Sequence, residues 1–385
     1  MSEKEPRSAE QGMIESICRE VGVPNLVEIL GSLALRRLQP ILVHAWNERV
    51  ADKKPESLLA DYESKLDFYG TGQISQSELY KFAGLCYEGV PSYFDKIQMS
   101  PIAPVGLNSV LTKISQNNTL PTIRGSEVVS DITTQLALEC AHRRKSSMIK
   151  EEVVNLCSFG RVLRLQPFDK DKGYMQHFNL FALCSGGINP VEKGNFAVPW
   201  LKTHIATLLD VIANLQDNDY QLTDISVRIS DMKFLEQLIE ARDLPLDSIR
   251  RNSLNDGFDL FNEYGIDFPR SVDAAETLRT DDFKRNGLSD HTKYFVHLDD
   301  SILTPLRESH PDVDVDFDFT RKAGLGYYPH ICFHIFGRNQ AGEIVQIADG
   351  GAVDWLAKLR GNRKEAMVTS GIGSELIQKL FSPET

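Results

Sequence analysis

No apolar run in this sequence approaches the ~20 residues that a membrane-spanning helix needs, and the start, MSEKEPRSAEQ, is polar. A membrane is excluded as a partner on this reading, and the expected compartment is the cytoplasm. There is no CxxC pair and no His/Cys cluster spaced for zinc, so no metal site is expected. The six cysteines, Cys18, Cys86, Cys140, Cys157, Cys184 and Cys332, lie far apart and read as buried thiols in a reducing compartment. Neither GxGxxG nor GxxxxGK[ST] occurs, which argues against Rossmann and P-loop nucleotide sites. GxSxG is missing too, so Ser370-Gly371-Ile372-Gly373-Ser374 is only loosely like a nucleophile elbow. Positive charge is scarce: 42 Lys+Arg stand against 54 Asp+Glu, a net −12, and such a surface repels phosphate backbones. Internal repeats and low-complexity segments are absent.

What is present is the composition of a folded protein: 385 residues, 42% apolar and 25% charged, enough for two or three units and a large core. After a frayed start over residues 1–12, Met13, Ile14, Ile17, Val21 and Val23 recur at helical spacing up to Pro24. A second amphipathic run begins at Ser32, and Pro40 should kink or divide it. Residues 1–72 are therefore expected to form a helical N-terminal region, and residues 73–385 a separate core. Ser75-Gln76-Ser77-Glu78 has the form of a capping box ahead of LYKFAGLCYEG.

Beyond residue 72 strands and helices alternate. YFDKIQMSPIAPVG and TLPTIRG read as short strands, and TTQLALECAHRRK as a helix. VVNLCSFGRVLRLQPF and YMQHFNLFALCSGG read as a hairpin around the charged loop Asp169-Lys170-Asp171-Lys172-Gly173. HIATLLDVIANLQ is helical, ISVRIS a strand, and residues 231–290 a helical, polar insertion. VDVDFDF, YYPHICFHIF and EIVQIADGG return to strands, and SELIQKLF closes on a helix. Strands joined largely by hairpins, with segregated helices, argue an α+β fold on an antiparallel sheet.

Four features look chemical, and the first three have plainer readings. Asp312, Asp314, Asp316 and Asp318 alternate with apolar residues, as on an exposed sheet face carrying gatekeeping charge. His330 and His334 fall in a predicted strand, where a spacing of four serves packing or hydrogen bonding better than zinc. Arg143-Arg144-Lys145 ends a helix, where cations complement the dipole. Gly350 and Gly351 follow a strand and would let a backbone approach a ligand.

In order and spacing, these segments resemble the catalytic core of a class II aminoacyl-tRNA synthetase over roughly residues 77–381, closest to histidyl-tRNA synthetase and its paralogue, the regulatory subunit of ATP phosphoribosyltransferase. LYKFAGLCYEGVPSYFDKIQMSPIAP, ending at Pro101 or Pro104, is similar to the dimer-building first motif. IRGSEVVSDITTQLALE occupies the place of LRPEGT, with Glu127 or Asp131 in the acidic position and Arg124 nearby. GRVLRLQPFDKDKGYMQHFNLFAL resembles the second-motif hairpin and puts Arg164 on the arginine that grips the α-phosphate of ATP; Gln166 replaces the usual glutamate. FDFTRKAGLGYYPHICFHIF resembles FDxxxxRGLDYYTGxVFE at Phe317, Asp318, Gly324, Leu325, Tyr327 and Tyr328. ADGGAVDWL is similar to AGGGRYDGL at Ala348, Gly350, Gly351, Asp354 and Leu356, and SGIGSELI matches GxER at Gly373 and Glu375.

The resemblance implies a homodimer that binds a small molecule. Arg164 would be the catalytic cation and would hold ATP with Mg²⁺ together with Gln166, Gly373 and Glu375. The substrate would lie against Arg124, Glu127, Gln176, Asn179, Tyr327, Tyr328, Gly350 and Gly351. The departures matter as much. Leu376, Ala323 and Ala352 replace three arginines, each worth roughly 1.5–3 kcal/mol in a charge-assisted contact, and Arg124 and Arg321 are the available substitutes. Asn179 and Leu183 stand where histidyl enzymes have glutamine and glutamate for their substrate, and leucine cannot hold an ammonium group. The family's anticodon-binding domain has no counterpart before Thr385, so tRNA is not an expected partner. Two functions follow: ATP-dependent activation of a carboxylate, as in an adenylate-forming ligase, or a non-catalytic sensor acting through a protein partner.

Overall fold

The structure is a computed structural model that describes residues 9–382, apart from 113, 150, 151, 167–173, 191–195, 254, 256, 279, 289 and 290. The charged loop at 169–173 thus lies outside the described residues, as do residues 1–8. The chain is already helical at Ala9, earlier than the frayed start expected through residue 12: α1 (Ala9–Glu20), α2 (Leu26–Ser32), α3 (Leu35–Ala51), α4 (Pro55–Glu63) and α5 (Leu66–Tyr69) follow in turn. Pro40 does not divide α3. Its ring removes one donor in the second turn, and the carbonyl that loses a partner belongs to exposed Arg36, which water can satisfy. Before Leu79, Cys18 alone is buried among the described residues, while Val27, Trp46, Leu58 and Leu59 are exposed.

The expected capping box opens α6 (Gln76–Glu88): Ser75 Oγ accepts from the Glu78 N–H, and the Glu78 carboxylate accepts from the Ser75 N–H. Such a cap stabilises a helix by about 1 kcal/mol. Short pieces come next: β1 (Asp95–Lys96), β2 (Ile102–Pro104), α7 (Leu107–Thr112), β3 (Leu120–Pro121) and β4 (Ser126–Val128). Asp131 then caps α8 (Ile132–Ser146) by accepting from the Thr133 N–H. The predicted hairpin is β5 (Val154–Leu163) and β6 (His177–Ile188), paired antiparallel from Val154↔Gly186 to Leu163↔His177. The long apolar helix α9 (Ala197–Gln216) leads into β7 (Thr223–Asp231).

The insertion contains α10 (Met232–Ala241), α11 (Leu246–Asn252), α12 (Leu260–Glu263), β8 (Ser271–Val272) and α13 (Thr280–Arg285), followed by α14 (Thr292–Leu298) and α15 (Thr304–Ser309). It is helical as expected but not polar throughout. Phe234, Phe268, Phe283 and Phe295 bury their rings edge to face and meet Phe317 and Phe319. The chain ends in β9 (Asp314–Asp318), β10 (Ile331–Arg338), β11 (Ile344–Val353), α16 (Trp355–Arg360), β12 (Glu365–Gly373) and α17 (Ser374–Leu380).

Among the described residues the main sheet has nine strands in the order β1-β5-β6-β12-β11-β10-β7-β9-β8, and a small sheet has the order β2-β4-β3. The body of the main sheet is antiparallel, as expected, but β1–β5 and β7–β9 pair parallel. A parallel neighbour needs a crossover, and the insertion supplies it between β7 and β9. One face of the sheet packs on α9 through Leu201, Ile205, Leu208 and Ile212, the other on α8 through Leu136, Ala137 and Cys140. All six cysteines are buried free thiols, and no described helix is long and apolar enough to cross a membrane.

Arg144 corrects the helix-capping reading of the basic patch. Its guanidinium is buried against Glu365 of β12 at 3.1 Å, and Arg143 pairs with Glu139 and Asp95. Of the β9 aspartates only Asp314 is exposed; Arg228 bridges it to the partly buried Asp316 at 2.8 and 2.9 Å, and the partly buried Asp318 accepts from the Thr320 N–H. Removing one member of a buried pair strands the other charge, at a cost of about 3–5 kcal/mol, whereas replacing both with apolar groups is nearly neutral. Arg144→Met should therefore lower the urea-unfolding free energy by about that amount, and the double variant Arg144→Met/Glu365→Leu should recover most of it. Equal losses in the two proteins would show that the charges do not act as a pair.

Candidate functional site

On the α8 side of the sheet, β6, β11 and β12 form the floor of a cavity of about 460 Å³, closed by the start of α8, the Tyr327-Tyr328 turn and α17. Strand alternation decides what faces it. Phe178 and Leu180 of β6 line the cavity, whereas Phe181 and Leu183 point into the α9 core. Asn179 belongs to that second set and does not line the cavity. Its side chain donates to Glu375 at 2.8 Å, which corrects the expectation that Asn179 contacts a substrate.

Arg164 does reach the cavity, and so does Asp131; Glu127 does not. Glu127 is buried beneath α7, where its carboxylate accepts from the Gly106 and Asn108 N–H groups and from Gln116. Arg164 donates from Nε to the Ser130 carbonyl at 2.9 Å, lies 3.5 Å from Asp131 through Nη2, and covers the Phe178 ring at 5.2 Å. Arg124 sits exposed in the turn between β3 and β4, away from the cavity. Gln166 and Gln176 are likewise outside its lining, Gln176 donating instead to the Leu165 carbonyl at 3.4 Å.

Tyr327, Tyr328, Gly373 and Glu375 fall where expected, in the cavity wall. Burial pushes both tyrosine hydroxyls well above their usual range, so they act as neutral hydrogen-bonding groups. Gly350 and Gly351 do not line it. A Cβ on Gly351 would lie 2.7 Å from the Tyr328 ring, and one on Gly350 would lie 2.6 Å from Phe333. The two glycines make room for the protein's own aromatic rings, not for a ligand.

Asp349, just before them, is the acid of this corner. It pairs with Arg321 at 2.9 Å and accepts from the Tyr328 hydroxyl; burial raises its carboxyl, and Arg321 pulls it back. Arg321 is itself buried, donating to the Ala323 carbonyl and stacking on Tyr328 at 5.3 Å, and it does not line the cavity. Neither proposed substitute cation therefore faces the cavity. Lys379, one turn after Glu375, does face it, over Tyr174 at 5.6 Å; burial lowers its ammonium and Glu375 opposes this. Asp349 and Lys379 had no separate sequence signal, although the spacing of Glu375 and Lys379 places both on one helix face.

The Ser370–Ser374 segment closes β12 and does not form a strand-to-helix elbow that exposes a serine hydroxyl. Ser370 Oγ is buried and bonds His204 Nδ1 at 2.9 Å, while His204 Nε2 bonds Ser185 at 2.9 Å, stitching β12 and β6 to α9. No acid joins them. His334 lies 3.8 Å from Asp349, and His330 precedes the strand; among the described residues no three metal-ligating groups converge.

No family model matches the chain, and no curated protein matches it in sequence. Solved structures do match. An ATP phosphoribosyltransferase regulatory subunit/histidyl-tRNA synthetase from Bacillus halodurans superposes with a TM-score of 0.58 at 16% identity, over 80% of each chain. A histidyl-tRNA synthetase from Nostoc sp. PCC 7120 gives 0.59 at 16%, over 79% of this chain and 72% of that one. A histidine–tRNA ligase subunit from Alicyclobacillus acidocaldarius gives 0.58 at 15%, over 80% and 94%. The chain has the class II synthetase-like fold, as the motif order implied.

Burial pushes His204 and His334 down from 6.5 to about 3, so both stay neutral in the folded protein. The unfolded chain takes up those protons first, so stability present above pH 6.5 is lost as pH falls towards about 3. His204→Asn removes one of these groups. Its deficit in urea midpoint relative to the natural sequence should be largest at pH 7 and shrink by pH 4.5; a constant deficit would show that His204 is not held neutral.

Proposed function

We propose that this protein is a ligand-binding member of the class II synthetase-like fold, a sensor that holds a small zwitterionic or neutral metabolite in the cavity and performs no adenylation. The observation that carries the reading is the commitment of Arg164. Its guanidinium is already engaged by Ser130, Asp131 and Phe178, and the residue after Glu375, where a second cation would meet a polyphosphate, is Leu376 in the cavity wall. The described lining carries three carboxylates, Asp131, Asp349 and Glu375, against two cations, Arg164 and Lys379. Such a lining does not fit a magnesium triphosphate, whose charge needs several uncommitted donors.

The same lining suits a ligand with one acidic and one basic group and a planar body. Tyr174, Phe178, Tyr327 and Tyr328 supply aromatic walls, and the volume is within the range of small-molecule sites. The resemblance to a regulatory subunit supports a protein partner as the receiver of the signal, and the net charge of −12 argues against tRNA. The ligase reading keeps one support, the presence of Arg164, Gly373 and Glu375 in one cavity.

Calorimetric titration with Mg-ATP should show no saturable binding, in the natural sequence or in Arg164→Ala. Amino acids and nucleosides screened by thermal shift should include at least one that stabilises the protein, by about 2.7 kcal/mol at a hundredfold excess over Kd, and Tyr327→Ala should abolish that shift. Carboxylate-dependent ATP–pyrophosphate exchange would overturn the sensor reading in favour of the ligase.

A further inference from the structure

Glu375 faces two ways. One of its oxygens accepts from the main chain and side chain of Asn179 at 3.2 and 2.8 Å and lies 3.4 Å from Arg161 Nη1. Arg161 in turn donates through Nε to His177 Nδ1 at 2.9 Å. A guanidinium has no acceptor, so Nδ1 must accept, and the His177 proton sits on Nε2, 3.0 Å from the Gly70 carbonyl. Burial and then Arg161 lower His177, keeping it neutral in this arrangement.

Gly70 closes the last of the N-terminal helices. The neighbouring contact is of the same kind: the Gln176 N–H donates to the Asp67 carbonyl at 3.0 Å. Gly72 lies against the Arg161 guanidinium, where a Cβ would come within 2.7 Å of Nη2. Residues 67–72 are thus held to β5 and β6 by polar contacts, while α2 to α5 have no buried residue. A segment held by few polar contacts opens at low free-energy cost.

We propose that Glu375, Arg161 and His177 form a relay that couples occupancy of the cavity to the attachment of the N-terminal helices at Gly70. A ligand ammonium drawn to Glu375 competes for the carboxylate that positions Arg161. Arg161 then loses its anchor, His177 loses its fixed tautomer, and the Gly70 contact weakens. The N-terminal helices are the output of the sensor. The nature of the signal rests on the cavity being the ligand site, whereas the coupling itself does not.

Hydrogen exchange on the full chain tests it without ligand. Glu375→Gln, which mimics a neutralised carboxylate, and Arg161→Gln should each speed exchange of the Gln176 and Gly70 amides about tenfold. Asp349→Asn, in the same cavity but off the relay, should leave both amides at the natural rate. Natural rates in either relay variant, or equal acceleration in Asp349→Asn, would overturn the relay. If Glu375→Gln fails to fold, Arg161→Gln decides alone, since that side chain is 40% exposed. An empty ligand screen would leave this result standing, and a failed relay would leave ligand binding standing.

Discussion

Both faces of the central sheet are covered, so every side chain of β6 and β12 must enter one of two layers, and that constraint shapes the whole molecule. Alternate residues of β6 serve the α9 core and the cavity: Phe181 and Leu183 one way, Phe178 and Leu180 the other. In β12, Val368 joins the α9 core and Met367 the α8 layer, while Ser370 turns its hydroxyl to His204. A one-residue slip would exchange these sets and carry Ser185 and Ser370 away from His204 of α9. The buried Ser185–His204–Ser370 bridge makes that slip costly, since its hydrogen bonds have no alternative partners there.

The features legible in the sequence are those whose physics is local. A capping box needs residues three apart, and a hairpin needs two alternating runs and a turn, so α6 and the β5–β6 pair could be placed directly. What escaped depends on partners far away in the chain. Arg144 reads as a helix-end cation until Glu365 is brought beside it, and Arg321 as a free cation until Asp349 meets it across 28 residues. Glu127 and Asp131 are both plausible acids at their spacing; only the docking of α7 onto Glu127 separates the structural one from the one in the cavity. Of the residues that the motif resemblance picked out, Arg164, Tyr327, Tyr328 and Glu375 line one cavity, while Asn179 does not, because the resemblance carried no information about which face of β6 that position takes.

The electrostatics of the cavity follow from compensation and not from vacancy. The cations at and around the cavity are each met by an acid: Asp131 beside Arg164, Asp349 beside Arg321, Glu375 beside Arg161. The Asp349 carboxylate and Arg321, two residues before the position that Ala323 takes, form a closed pair. Charges neutralised in this way support a fixed, nearly neutral site. They give little of the field that stabilises developing phosphate charge in a transition state.

The stretch from Asp67 to Gly72 is attached by a different logic from the rest of the chain, although Leu35 of α3 packs on Gly125. Elsewhere elements are fixed by apolar burial, as α9 is by Leu201, Ile205 and Leu208, and such packing does not respond to a single charge. Between Asp67 and Gly72 the attachment is a carbonyl, a histidine and an arginine that leads to a cavity carboxylate. Each of these contacts is worth only about 1 kcal/mol, so a change in one of them alters the balance between attached and detached states. A cavity that reports its contents to another element needs such a weak, charged junction, because only a contact of that kind responds to a single charge.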